Sequence, residues 1–281
     1  MRRLGLGKIL SLACLALWLS GCAISNLQGN LGQAVLDNDD LTLVGDGLPT
    51  YMLMMDGMVK TWPDDAGVLG SAAKIYSAYA GIFVTDKARA SAMSQKALNY
   101  ALRALCADND DLCHANTQPL GDFEKALADT DEDDLDALFT LGSAWAGWIQ
   151  LNSGNWNAIA QLARVRMIMQ RVVAIDSGYN LGQAHMYLGV LYGFLPKALG
   201  GQPEKAKAEF EQAVELSSGK NLMAKVFYAK QYALMTGNKA LFDSLLAQVA
   251  GADPHASGLT LQNVYAKKLA QQLQADAAND F

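Results

Sequence analysis

The stretch "YGFLPKALGGQPEKA", residues 192–206, decides how the chain is read. Before it, "NLGQAHMYLGVLY" places apolar residues at helical spacing, and after it "PEKAKAEFEQAVEL" does the same. Two antiparallel helices are ordinarily joined by a few residues. Here a longer apolar segment intervenes, carrying Pro196, Gly200, Gly201 and Pro203. Proline has no backbone donor, and glycine reaches backbone angles closed to other residues. Pro203 suits the first turn of the helix that follows. Phe194, Leu195 and Leu199 keep the linker apolar, so it is expected to pack against the body. The segment reads as a built elbow, serving either the architecture or a partner or ligand surface.

Helical periodicity continues outward from the elbow in both directions. "DLTLVGDGLPTYMLMMDGMVKTWP" stops at Pro63, and "AGVLGSAAKIYSAYAGIFV" puts Leu69, Ala73, Tyr76 and Ala80 on one face. "DKARASAMSQKALNYALRALC" opens on an aspartate cap at Asp86. "PLGDFEKAL" predicts a short helix, and "DTDEDDLDALFTLGSAWAGWIQLNSG" a longer one with acids in its first turn. A single helix is expected from a cap at Asn155 to a stop at Gly178, and three more follow the elbow pair, the last within 260–278. Strand-type alternation is missing. The fold class is all-α, made of consecutive antiparallel pairs.

Several pairs carry the spacing of tetratricopeptide repeats, in which a small residue on helix A lets helix B approach closely. Leu188, Gly189 and Tyr192 fit helix A; Ala206, Phe210 and Ala213 fit helix B. Leu141, Gly142 and Trp145 repeat the A pattern 47 residues earlier. The period is too irregular for a regular array. We expect degenerate TPR-like hairpins over residues 39–279, forming one compact solenoid-like domain.

The N-terminus has the form of an export signal. "MRRLGLGK" is basic, "ILSLACLALWL" is an apolar run short of a membrane span, and "LSGC" ends at Cys22. Small residues before a cysteine at this place are the pattern of a bacterial lipoprotein signal. Residues 1–21 are then a leader, Cys22 the lipidation site, and 22–38 a polar tether. The competing reading is an ordinary secretory signal in which Cys22 is incidental. Multiple acyl chains on one cysteine would anchor the protein firmly. Ala23, in place of an aspartate, favours the outer membrane facing the periplasm.

Removing residues 1–21 leaves 260 of the 281, and the loss of Arg2, Arg3 and Lys8 moves the formal charge from −6 to −9. Such acidity argues against nucleic acid, which needs a basic face. Besides Cys22, two cysteines remain, in "CADNDDLC". On a straight helix their Cα atoms would stand roughly 10 Å apart, beyond disulfide reach. A chain that turns at "DNDD" brings Cys106 and Cys113 together, and an oxidising compartment favours the bond. Two buried thiols are the alternative.

Catalytic signatures are weak. His114, His185 and His255 lack metal-ligand spacing, and the chain beyond the leader carries no nucleophile elbow, phosphate loop or dinucleotide fingerprint. We expect no enzyme, no metal and no cofactor. Asp129, Asp131 and Asp133 alternate as in a calcium loop, but Asp134 and Thr140 occupy the positions that need glycine and glutamate. Trp145 and Trp148 stand among small residues and could line an apolar cavity, with Arg164, Arg166 and Arg171 on the next helix to attract an anion. Tyr187, Tyr192 and His185 are candidates for the same lining. A packed core with solvated or paired arginines accounts for the same residues.

Residues 187–233, "YLGVLYGFLPKALGGQPEKAKAEFEQAVELSSGKNLMAKVFYAKQYA", closely resemble the T-component family of TRAP-associated lipoproteins, TatT. "ARVRMIMQRVVAIDSGYNLGQAHMYLG", "LFDSLLAQVAGADP" and residues 48–84 resemble further family segments, so the likeness runs over roughly 37–275. It is weakest over 106–122, so no role for that loop is carried over. The resemblance implies a TPR-like periplasmic lipoprotein working beside a TRAP-type solute-binding protein. It also implies a homotrimer, with a pore or cleft in each protomer through which an organic solute could pass. Two other readings stand beside it: a TPR-like scaffold for envelope assembly without a small ligand, and a hydrophobic-metabolite carrier independent of TRAP.

Overall fold

The computed structural model describes residues 30–280, so Cys22 and the leader lie outside the described residues. These residues are all-α, with no strand among them. A short helix α1 (30–36) precedes α2 (Leu41–Thr61), α3 (Ala66–Ile82) and α4 (Lys87–Asp108). Next come α5 (Leu120–Ala128), α6 (Leu135–Leu151), α7 (Trp156–Ile159) and α8 (Leu162–Ile175). The elbow pair is α9 (Tyr179–Gly193) and α10 (Pro203–Leu216). The chain finishes with α11 (Leu222–Tyr228), which runs into a π-helical turn at Ala229–Leu234, then α12 (Lys239–Gly251) and α13 (Thr260–Asp280).

Asx residues start many of these helices. Asp40, Asp65, Asp86, Asn155, Asn221 and Asn238 each accept a hydrogen bond from a first-turn amide. A cap of this kind stabilises a helix by about 1 kcal/mol. The acidic run before α6 does the same work: Asp131 and Asp134 form a capping box around a 3₁₀ turn, Glu132–Asp134.

The long helices pack in order, α2 on α3, α3 on α4, α4 on α6, α6 on α8, α8 on α9 and α9 on α10, while the short α5 packs against α8. One continuous apolar core runs from Val44 to Ala277. The expected close approaches are built on two glycines. A Cβ at Gly189 would fall 2.7 Å from the Phe210 ring, and one at Gly142 would fall 2.7 Å from Met169 Cε. The ends of the stack are tied together: α13 touches α2, and Asp37 accepts the Gly258 amide at 2.6 Å.

Two expectations are corrected. The helix foreseen from Asn155 to Gly178 is broken into α7 and α8 and stops at Ile175. Gln161 donates to Ala158 O, and Arg164 to Gln161 O, so the chain tightens to i→i−3 bonding at the break. The helix before the elbow also starts irregularly, with Asn180, Leu181 and Gly182 all in the left-handed region.

Candidate functional site

The elbow is closed by its own backbone. After α9, a 3₁₀ turn spans Lys197–Leu199, with Leu199 N donating to Pro196 O at 2.8 Å. Gly201 N donates to Pro196 O at 3.1 Å, and Gln202 N to Tyr192 O at 2.9 Å. Gly200 has φ +95°, and a Cβ on Gly201 would fall 1.7 Å from Leu195 O. The first glycine is therefore required by conformation and the second by space. Pro203 opens α10 at the helix's first turn.

This corner and the α7–α8 break face each other across a half-open groove of about 240 Å³. Ile159, Leu162, Leu191 and Leu195 give it apolar walls; Tyr192, Gln202 and Arg166 supply its polar groups. The break in the helix is what lays Ile159 and Ala160, then Leu162 and Ala163, along one wall. Tyr192 is buried, and its hydroxyl accepts from Gln170 Nε2 at 2.9 Å. Two cations bear on its ring: the Arg166 guanidinium carbon 5.6 Å from the centroid and Lys205 Nζ at 5.4 Å.

The three arginines named from sequence separate by what they touch. Arg164 donates to Ala115 O and Gln118 O and lies over the Phe123 ring, and burial holds its pKa below the ordinary value. Arg171 donates to Thr130 Oγ1 and Thr130 O. Both pin loops onto α8. Arg166 makes no hydrogen bond or ion pair with another described residue, and it lines the groove.

The other candidates lie elsewhere. Trp145 is 1% exposed in the core, with Nε1 buried and unpartnered, and Trp148 packs partly buried beside it on α6. Tyr187 meets Phe139 edge to face, and burial pushes its phenol up to about 12. His185 is buried, with Nδ1 2.6 Å from Glu209 Oε2 and Nε2 2.9 Å from Ser177 Oγ. It joins the irregular start of α9 to α10. Cys106 and Cys113 are bonded to each other; α4 ends at Asp108, and a 3₁₀ turn at Asp110–Leu112 brings their Cα atoms to 4.1 Å.

Sequence reading missed one charged cluster altogether. Asp56 on α2 accepts from Lys96 Nζ at 2.6 Å and from the Tyr76 and Tyr100 hydroxyls, each at 2.8 Å. Burial works to raise the Asp56 pKa, but these donors outweigh it and hold the carboxyl below its usual value. Burial and the carboxylate together push the Tyr100 phenol up to about 12. The four residues lie on three helices and up to 44 positions apart, beyond the reach of helical periodicity, so no local pattern in the sequence announces them. Their distances and enclosure make the cluster a clamp across α2, α3 and α4.

The fold is an all-α body of packed helices, and beside its elbow lies a small groove lined by aliphatic side chains together with Tyr192, Gln202 and Arg166. The chain belongs to the TRAP transporter T-component family, whose model matches residues 37–281. It is also 22% identical over 240 residues to an uncharacterized protein of Treponema pallidum (strain Nichols), covering 78% of this chain and 73% of that one. Membership associates the chain with TRAP transport in the cell envelope, within a family of transport accessories. Among the described residues, no helix is long and apolar enough to cross a membrane.

Proposed function

We propose that the chain is a non-enzymatic lipoprotein that docks a TRAP-type periplasmic solute-binding protein and binds or passes a small organic solute. Lipid on Cys22 holds it to the periplasmic face of the outer membrane, and it works as a homotrimer. The observation that carries this reading is the family match across 37–281, which takes in every helix from α2 to α13. The groove supports the solute role, since it is formed by the elbow together with the α7–α8 break. Protein docking is supported by exposed apolar side chains on α2 and just beyond it, with Leu43 62%, Leu53 72% and Trp62 52% exposed.

The envelope scaffold remains as a second reading, favoured by Trp145 being packed in the core rather than lining a cavity. One experiment separates them: gentle detergent extraction of the tagged full chain from its own envelope, then mass spectrometry of what co-purifies. A TRAP-type solute-binding protein near stoichiometry is expected. Recovery of outer-membrane assembly proteins without it would replace transport by scaffolding. A Cys22→Ala chain released from the membrane fraction checks the anchor in the same extract.

A further inference from the structure

Away from the groove, the irregular start of α9 builds a second constellation. Asp176 closes a turn after α8: its Oδ1 accepts the Gly178 amide at 2.8 Å and its carbonyl the Tyr179 amide at 3.2 Å, with Ser177 held between. Asn180 and Leu181 then take φ of 49° and 58°, left-handed angles that residues other than glycine keep only where the surroundings hold them. Gly182 follows at φ +70°, and a Cβ there would fall 2.7 Å from Leu216 Cβ, so the start of α9 lies directly against α10. Within a turn of that approach, His185 meets Glu209.

The hydrogen bonds that result have a direction. His185 Nδ1 is 2.6 Å from Glu209 Oε2. A carboxylate only accepts, so Nδ1 carries the proton and Nε2 keeps its lone pair. Ser177 Oγ stands 2.9 Å from that Nε2 and donates its hydroxyl proton to it. Hydroxyl, base and orienting carboxylate thus come in the order and at the distances of an activated serine. Their access differs: His185 is buried, Glu209 is half-buried and Ser177 is exposed. Fastening α9 to α10 needs only His185 and Glu209; the serine adds a reactive oxygen at the surface.

We infer that Ser177 is a modification site that takes an acyl group from an uncharged activated ester, with His185 as its base and Glu209 as the positioning residue. The bond from Ser177 Oγ to the carbonyl carbon forms, the bond from that carbon to the leaving oxygen breaks, and the hydroxyl proton passes through Nε2 to the leaving oxygen. Asp176 beside the serine and Glu209 behind the imidazole disfavour an anionic donor. The product is an alkyl ester, a poorer leaving group than the one displaced, so its hydrolysis is slower than its formation. Each chain is therefore acylated once and does not turn over, in keeping with a protein that is not an enzyme. The site stands apart from the transport reading and does not rest on it.

The test is timed incubation of the purified full chain with para-nitrophenyl acetate, followed by peptide mass spectrometry. Acetylation of Ser177 is compared with that of Ser153, an exposed serine outside the constellation. A positioned general base is worth about 10²–10⁴ in rate, so Ser177 should react at least about a hundredfold faster than Ser153. The anionic mono-para-nitrophenyl succinate should react a few-fold more slowly at Ser177. Glu209→Gln keeps an acceptor for Nδ1 but removes the charge; it should slow Ser177 about tenfold or more and leave Ser153 unchanged, with Glu209→Asp recovering part of the rate. His185→Gln should bring Ser177 down to the rate of Ser153, and where that buried substitution does not fold, Glu209→Gln carries the test. Equal rates at the two serines in the parent chain overturn the inference, and so does rapid Ser177 labelling that persists unchanged in the variants.

Discussion

Gly189 lies so close to Phe210 that a Cβ would sit 2.7 Å from two of its ring carbons. Phe210 is fully buried and its ring has nowhere to turn. Gly142 has the same place in its own hairpin, but there the nearest atom is the flexible end of Met169. Alanine in a helix interior gains about 1 kcal/mol over glycine, while overpacking a core costs about 1–3 kcal/mol. Gly189→Ala should therefore destabilise by about 1–2 kcal/mol, and Gly142→Ala should be close to neutral. Urea unfolding of the two variants, side by side, checks the contrast. Equal effects would mean that Met169 is held as firmly as Phe210.

The Asp56 clamp carries a pH dependence. The folded carboxyl titrates below its unfolded value of about 3.9, so its stabilisation is complete above that value and is lost as pH falls through the folded one. Asp56→Asn should cost about 2 kcal/mol at neutral pH, because Lys96 and two hydroxyls lose a charged acceptor. The gap between variant and parent should narrow when unfolding is repeated near pH 3. A gap that persists there would trace the loss to packing instead of charge.

What could be read from the sequence was what local pattern determines. Asp86 and Asn155 announce helix starts because an Asx side chain caps the amides that follow it. Gly189 and Phe210 announce a close helix pair because repeat spacing puts a small residue opposite a large one. The α7–α8 break was hidden: "NAIAQLAR" contains no proline or glycine, so nothing local marks the 3₁₀ turn. Arg164, Arg166 and Arg171 look alike in sequence, and only the carbonyls of Ala115, Gln118 and Thr130 set Arg164 and Arg171 apart as loop fasteners, with Arg166 lining the groove. The Asp56 cluster joins residues up to 44 positions apart, a distance at which no periodicity speaks.

The elbow glycines should respond differently to alanine. Gly200→Ala meets only the left-handed backbone penalty, about 1–2 kcal/mol, with open space around the new methyl group. Gly201→Ala drives a methyl into Leu195 O, so the elbow must open and the Gln202 N to Tyr192 O bond must go. Native-state hydrogen exchange should show the Gln202 amide exchanging at least about tenfold faster in Gly201→Ala, while amides of buried α6 keep their protection. Unchanged exchange at Gln202 would show that the elbow tolerates the methyl by another route.

The disulfide and Arg164 hold neighbouring parts of one loop, and removing each should have a different signature. Cys106–Cys113 spans only seven positions, so in the chain-entropy view it stabilises by about 2.5 kcal/mol. Arg164 fastens the Ala115 and Gln118 carbonyls onto α8. The Cys106→Ser, Cys113→Ser double variant should lower unfolding free energy by about 2–3 kcal/mol, and adding a reductant should then change nothing further. Arg164→Gln in the oxidised protein strands two carbonyls and should cost about 1–3 kcal/mol. Because both act on one loop, the triple variant should lose less than the separate losses added together. Strict additivity in a double-mutant cycle would mean that the loop is fastened at two independent points.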